Sequence, residues 1–366
     1  MPGLLVGEVL RSAARAAPRR AAVRLGERVL TFAELDAAAD RAVGGLAARG
    51  VRRGDRVVCL AGTSLDALAL FAGAARAGVV FVPVAPGAAA TGIVRAARPR
   101  LLVTDAEQAR CTAGPGVRQV VLPDLADAPG EPPRLSPEER DPHVVLYPTA
   151  GRPRGVVLSH RASVWRANAG CRPAPHGVLV CGLPSGHWAV WTTLLRQWRA
   201  RGTVILPEHP DPSTICAAVR EHRAERLVCA PATWQAVLDT APHHLATLRL
   251  ADTETAGPTV PPRLLEAVRT ATPGARVRAF LSTPEAGDIA VLDHADVRAR
   301  PGTCGVPAPD VDVRLAPGEL WVRGPQLFDG YFRDKRATDA VLRDGWFRTG
   351  RAARRDEDGY LYLAER

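Results

Sequence analysis

Lysine is all but absent from this chain. Lys335 is the one lysine among 48 basic residues, so the formal charge of +10 is carried by arginine. Arginine with abundant alanine, proline and glycine is the usage of a GC-rich genome, and an actinobacterial source is expected. The arginines are scattered, with no basic run and no aromatic interleaving, which argues against a nucleic-acid partner and for an anionic ligand or an acidic carrier protein. Paired cysteines are missing too. The seven present (Cys59, Cys111, Cys171, Cys181, Cys216, Cys229 and Cys304) include no C-x-x-C pair, so neither a zinc site nor a disulfide framework is signalled. Cys59, Cys181 and Cys229 lie in apolar strands and read as small core residues. No apolar run is long enough to span a bilayer and the N-terminus has no signal-peptide core, so no membrane partner and a cytoplasmic location are expected. A G-x-S-x-G nucleophile motif is also lacking.

What remains is an ordinary globular composition, 46% hydrophobic and 23% charged over 366 residues, enough for two or three subdomains. Strands and helices alternate. Leu4–Ala16 reads as a helix, and Ala21–Leu25 with Arg28–Leu30 reads as a hairpin around Gly26-Glu27. Thr31 and Glu34 form a capping box for a helix that Gly50 stops. The strands Arg56–Leu60, Val79–Val84 and Leu101–Thr104 are separated by the helices Ser64–Ala77 and Thr91–Ala97. After a proline-rich connector, Val178–Cys181, Thr203–Leu206 and Arg226–Cys229 repeat the pattern. This is α/β architecture with largely parallel sheets. Short strands near Val311–Leu315, Glu319–Val322 and Tyr360–Leu363 suggest a small β-barrel-like subdomain. The division expected is 1–140, 141–290 and 291–366.

The chain is organised around Asp141–His160, read as strand, small-residue loop, strand and helix start. Such a loop turns backbone N–H groups toward an anion, and Arg154 adds a charge beside it. The stretch Tyr147-Pro148-Thr149-Ala150-Gly151-Arg152-Pro153-Arg154-Gly155 resembles the phosphate loop of adenylate-forming enzymes: acyl-CoA synthetases, nonribosomal-peptide adenylation domains and luciferases. The resemblance extends along the chain through LTFAEL, GVRRGDRVVCL, AGVVFVPVAP, GELWVRGPQLFDGYFRDKRAT and DGWFRTGRAARRDEDGYLYLAER. It implies the family's N-terminal fold: two βαβ-type, mostly parallel sheets packed with helices, plus a small distorted β-barrel.

Site residues carry over by motif. The family's Pro-x-x-His falls on Pro184 to His187, which puts His187 near an acyl pocket; the alternative is a histidine capping a helix end. Trp188, Trp191 and Trp198 share a helical face, with Trp198 expected in the core and Trp188 and Trp191 as pocket walls. Thr255 and Gly257 belong to the loop that passes the adenine, and Leu281 and Ser282 to the segment that stacks on it. Glu285 stands where the family holds magnesium, as a metal ligand, a general base, or a remnant paired with an arginine. Thr149, Gly151, Arg154 and Arg351 are the anion-binding candidates. His160 is a further candidate for proton transfer, or simply begins a helix.

The departures from the family pattern cluster at the nucleotide. The phosphate loop is two residues short and gains Pro148, which has no N–H. Leu281 replaces the stacking tyrosine, and Arg351 replaces the aspartate that accepts from the ribose hydroxyls. The chain ends at Arg366, just before the family's hinge, and the family's C-terminal lysine subdomain is expected to be absent. The expected protein has given up adenylation and handles an acyl group already activated, with His187, Glu285 and His160 moving protons. No cofactor is expected; ATP and magnesium apply only if the ancestral activity survives. The partners expected are an acyl substrate on coenzyme A or an acyl carrier protein, and a protein from the same pathway. Two alternatives stand: a non-catalytic partner of a true ligase, and a ligase completed by a C-terminal subdomain from another chain.

Overall fold

The computed structural model describes residues 4–111, 114, 116–126, 137–148, 154–168, 176–184, 186–240, 245–257, 259–316 and 318–364. Three sheets organise them. The seven-stranded sheet runs, edge to edge, Gly330–Tyr331, Val156–Ser159, Pro142–Leu146, Val80–Val84, Arg56–Leu60, Leu101–Thr104 and Arg118–Val121. Its five strands from Pro142–Leu146 to Arg118–Val121 pair in parallel. The nine-stranded sheet runs Val306–Pro307, Gly287–Leu292, Arg276–Thr283, Asp252–Gly257, Arg226–Cys229, Val178–Cys181, Thr203–Leu206, Ala21–Leu25 and Arg28–Thr31. A third, five-stranded antiparallel sheet is built from Asp312–Leu315, Glu319–Arg323, Leu342–Arg343, Trp346–Arg355 and Leu361–Leu363. The α/β class and the small final sheet are as the sequence implies.

Sheet membership cuts across the division at 140 and 290. The hairpin Pro142–Leu146 with Val156–Ser159 joins the first sheet, and Gly330–Tyr331 extends it from the far end of the chain. Conversely, Ala21–Leu25 keeps its expected hairpin with Arg28–Thr31 and pairs on its other side, in parallel, with Thr203–Leu206. The reason is burial. Val23 and Ala22 are apolar and fully buried, so this strand needs cover on both faces, and the edge beside Thr203–Leu206 provides it.

Helices Val6–Ala16, Phe32–Ala48, Leu65–Arg76 and Ala189–Arg199 contribute to one continuous core with residues of all three sheets. The capping box forms as the sequence indicates: Thr31 Oγ1 accepts from Glu34 N, and Glu34 Oε2 accepts from Thr31 N at 2.8 Å. Gly45 permits the closest approach between elements, since a Cβ there would lie 1.8 Å from the Leu125 carbonyl oxygen. Trp198 is wholly buried and its indole N–H donates to the Ala22 carbonyl at 3.2 Å, fastening the Ala189–Arg199 helix to the transferred strand. Among the described residues no helix is long and apolar enough to cross a membrane.

Candidate active site

The site is built where the nine-stranded sheet meets the third sheet. Strands Asp252–Gly257 and Arg276–Thr283 run in parallel, with Thr255 opposite Ala279 and Gly257 opposite Leu281. Thr255, Leu281 and Ser282 are buried. Pro284, Glu285 and Ala286 then turn the chain into the antiparallel strand Gly287–Leu292. Gly257, Thr259, Leu281, Thr303 and Cys304 line a small pocket that is partly open to solvent. Arg351 reaches it from the third sheet, and its Nη2 donates to Thr259 Oγ1 at 2.9 Å.

The turn that carries Glu285 is held by a buried arginine. The Arg166 guanidinium donates to the carbonyls of Pro284 (2.8 Å), Glu285 (2.9 Å) and Gln326 (2.8 Å). Burial brings its pKa down to about 10, which still leaves it charged at neutral pH. Phe328 N also donates to the Glu285 carbonyl, at 2.8 Å. The Glu285 carboxylate itself accepts from Tyr331 Oη at 3.0 Å. The neighbouring Arg154 guanidinium lies 5.6 Å from the centre of the Tyr331 ring and 3.8 Å from Asp334. Burial, and then the charge of Glu285, push the Tyr331 phenol well above its ordinary pKa. Among the described residues, Arg166 meets the backbone of Glu285 and Tyr331 meets its side chain. Neither Arg166 nor Tyr331 stood out in the sequence. Their partners are far away along the chain, and the GPQLFDGYF segment that contains Tyr331 reads as a fold motif.

His187 sits on the last turn before the Ala189–Arg199 helix. Its Nδ1 accepts from Ala189 N at 3.3 Å, and its ring stacks on Trp188 with centroids 5.7 Å apart. Burial lowers its pKa to about 4. The imidazole is thus neutral at pH 7, and because Nδ1 is an acceptor the proton resides on Nε2. It both caps the helix start and keeps a hydrogen to offer, so the two readings of this residue are compatible.

Three expectations need revision. His160 does not belong to this site. It is fully buried, its Nδ1 accepts from Val6 N at 3.2 Å, and its ring stacks on His143 at 5.0 Å. It joins the first helix to the His160–Asn168 helix. Trp191 parts company with Trp188: it packs on Phe71 (4.8 Å) and Phe81 (5.0 Å) in another cavity. Arg154 and Arg351 do not converge on one anion, since the first is engaged beside Tyr331 and the second at Thr259. Thr149 and Gly151 lie outside the described residues.

A sequence model described as AMP-binding enzyme matches residues 10–332. The chain belongs to this family. A feruloyl-CoA synthase of an Amycolatopsis species is 32% identical over 380 aligned positions, covering 96% of this chain and 77% of that protein. The indoleacetate–CoA ligase of Aromatoleum aromaticum is 27% identical, covering 94% and 75%. Among solved structures, the inhibitor-bound N-terminal domain of FACL13 from Mycobacterium tuberculosis superposes with a TM-score of 0.90 at 25% identity and covers 99% of each chain. The AMP complex of o-succinylbenzoate coenzyme A synthetase from Bacillus subtilis gives 0.88 at 20% identity, a likeness of fold, over 98% of this chain and 78% of that one.

Members of the AMP-binding family use ATP and magnesium. Leu281 offers no ring to stack on a purine. Arg351 has no acceptor for ribose hydroxyls, and one of its donors is already given to Thr259. Among the described residues no group of three His, Cys, Asp or Glu side chains is placed to hold a metal ion.

Proposed function

We propose that this AMP-binding family member binds an acyl group that is already activated, as a coenzyme A or carrier-protein thioester, and moves it without ATP. The reaction class is acyl transfer, condensation or cyclisation. The observation that carries the reading is the Arg351–Thr259 hydrogen bond, which spans the position where a nucleotide would need an acceptor. A neutral His187 with Nε2–H to offer suits a thioester carbonyl better than it suits proton abstraction. Glu285, held by Arg166 and Tyr331, is the residue positioned to accept a proton. The site then serves a soluble biosynthetic step in the cytoplasm, with an acyl carrier protein or coenzyme A as partner.

One observation favours a second reading, a ligase completed by another chain. Glu285 keeps a supported carboxylate where the family places a magnesium ligand. Calorimetry separates the two. Titration with benzoyl-CoA should show saturable binding, while ATP with magnesium should bind more weakly than about 1 mM. Tight ATP binding would overturn the proposal. Alanine at His187 and at Glu285 should each abolish the acyl-transfer step; a step that survives both changes marks the chain as a non-catalytic partner.

A further inference from the structure

We propose that the cavity between the two large sheets is a second ligand site, for a neutral molecule built on one aromatic ring and carrying a hydrogen-bond acceptor. Strand order sets its position. Arg56–Leu60 and Val80–Val84 are neighbouring parallel strands of the seven-stranded sheet, and Val178–Cys181 and Thr203–Leu206 are neighbouring parallel strands of the nine-stranded sheet. Residues just beyond the carboxyl ends of all four strands line the cavity: Ala61, Ala85, Leu183 and Pro207. In open α/β sheets that edge is where ligands bind, because the loops leaving the strands part there. The space is partly open to solvent, about 550 Å³ with that opening included.

The lining determines the ligand's chemistry. Among the described residues no charged side chain lines it; the side-chain heteroatoms there, outside the Trp191 ring, are the thiols of Cys59 and Cys181 and the hydroxyls of Thr63 and Ser64. A carboxylate or phosphate would lose its hydration there with no opposite charge in return. Two walls are rings, Phe81 and Trp191, with centroids 5.0 Å apart and planes at 73°. A third ring laid against the face of one meets the other edge-on, the arrangement aromatic groups prefer. The thiols add soft, polarisable surface. Ser64 supplies the polar contact. Its Oγ accepts from Asp66 N (3.2 Å) and Ala67 N (3.4 Å), which leaves its own hydrogen to donate.

His187, Glu285 and Arg351 do not line this cavity, so the inference is independent of the fate of adenylation. The test is calorimetry on the full chain with acetophenone, a neutral ring bearing one carbonyl, and with benzoate, a ring of the same size bearing a charge. Acetophenone should bind, and benzoate at least about tenfold more weakly. Ala67→Phe, which fills the cavity from the Leu65–Arg76 helix, should remove acetophenone binding. If that variant does not melt cooperatively, Ala85→Phe in the loop beyond Val80–Val84 takes its place. Absence of acetophenone binding, equal affinity for benzoate, or unchanged affinity in a folded filled-cavity variant would overturn the assignment.

Discussion

At the scale of single residues, the proposed function rests first on Arg351. A guanidinium has five N–H donors and no acceptor, so the ribose contact is inverted in sign rather than merely weakened. Arg351→Asp restores an acceptor and releases Thr259. We expect ATP affinity to rise by about tenfold or more, a gain of roughly 1.4 kcal/mol. Equilibrium dialysis with labelled ATP reads it directly, and an unchanged affinity would mean that Leu281 or the phosphate loop dominates. His160 makes a different kind of prediction. Burial lowers its pKa to about 4, against an ordinary 6.5. The unfolded chain therefore binds more protons than the folded one between these values. The stability this residue contributes is complete above pH 6.5 and is lost as the pH falls toward 4, by about 3 kcal/mol. Urea denaturation at pH 7 and pH 4.5 should show the drop, and His160→Asn should shrink it. An equal drop in the variant would locate the titration elsewhere.

At the scale of elements, the Pro284–Ala286 turn owes its shape to Arg166 more than to its own sequence. Three carbonyls receive hydrogen bonds from one guanidinium, and the following Gly287 has φ +65°, with space for a Cβ limited to 3.1 Å from Arg166 Nε. Arg166→Leu removes the donor to the Pro284 and Gln326 carbonyls and leaves the Glu285 carbonyl with Phe328 N alone. We expect a loss of about 3 kcal/mol and faster hydrogen exchange at the Ala286 amide, whose own bond is to Thr283 Oγ1. Unchanged protection at Ala286 would show that the turn holds without the clamp. Gly45→Ala tests the packing of the Phe32–Ala48 helix, because its Cβ would meet the Leu125 carbonyl at 1.8 Å. A cost of about 2 kcal/mol or more in denaturant midpoint is expected. Elements of this kind were legible in the sequence wherever the pattern is local: the capping box at Thr31, the apolar runs of the parallel strands and the wholly buried Trp198. The clamp was not legible, since Arg166 reads as one more helical arginine and its partners lie 118 to 160 positions away.

At the scale of the whole molecule, the sheets are assembled from distant parts of the chain. The hairpin of Ala21–Leu25 with Arg28–Thr31 completes a sheet otherwise made after residue 177, and Gly330–Tyr331 completes one made before residue 160. Fold class follows from alternation and could be read; sheet membership depends on which edge offers cover, and could not. The same applies to function. Motif order identified the family and pointed to His187 and Glu285, while only the packing shows that His160 is a core joint and that Trp191 faces the inter-sheet cavity. The framework that shapes the AMP-binding fold is intact, and in the function we propose the departures from the family pattern gather where a nucleotide would lie. A crystal soaked with a non-hydrolysable ATP analogue and magnesium tests this most directly. We expect no purine or ribose density beside Leu281, with Arg351 still on Thr259. Ordered adenosine at Gly257 and Leu281, with Arg351 swung aside, would contradict it.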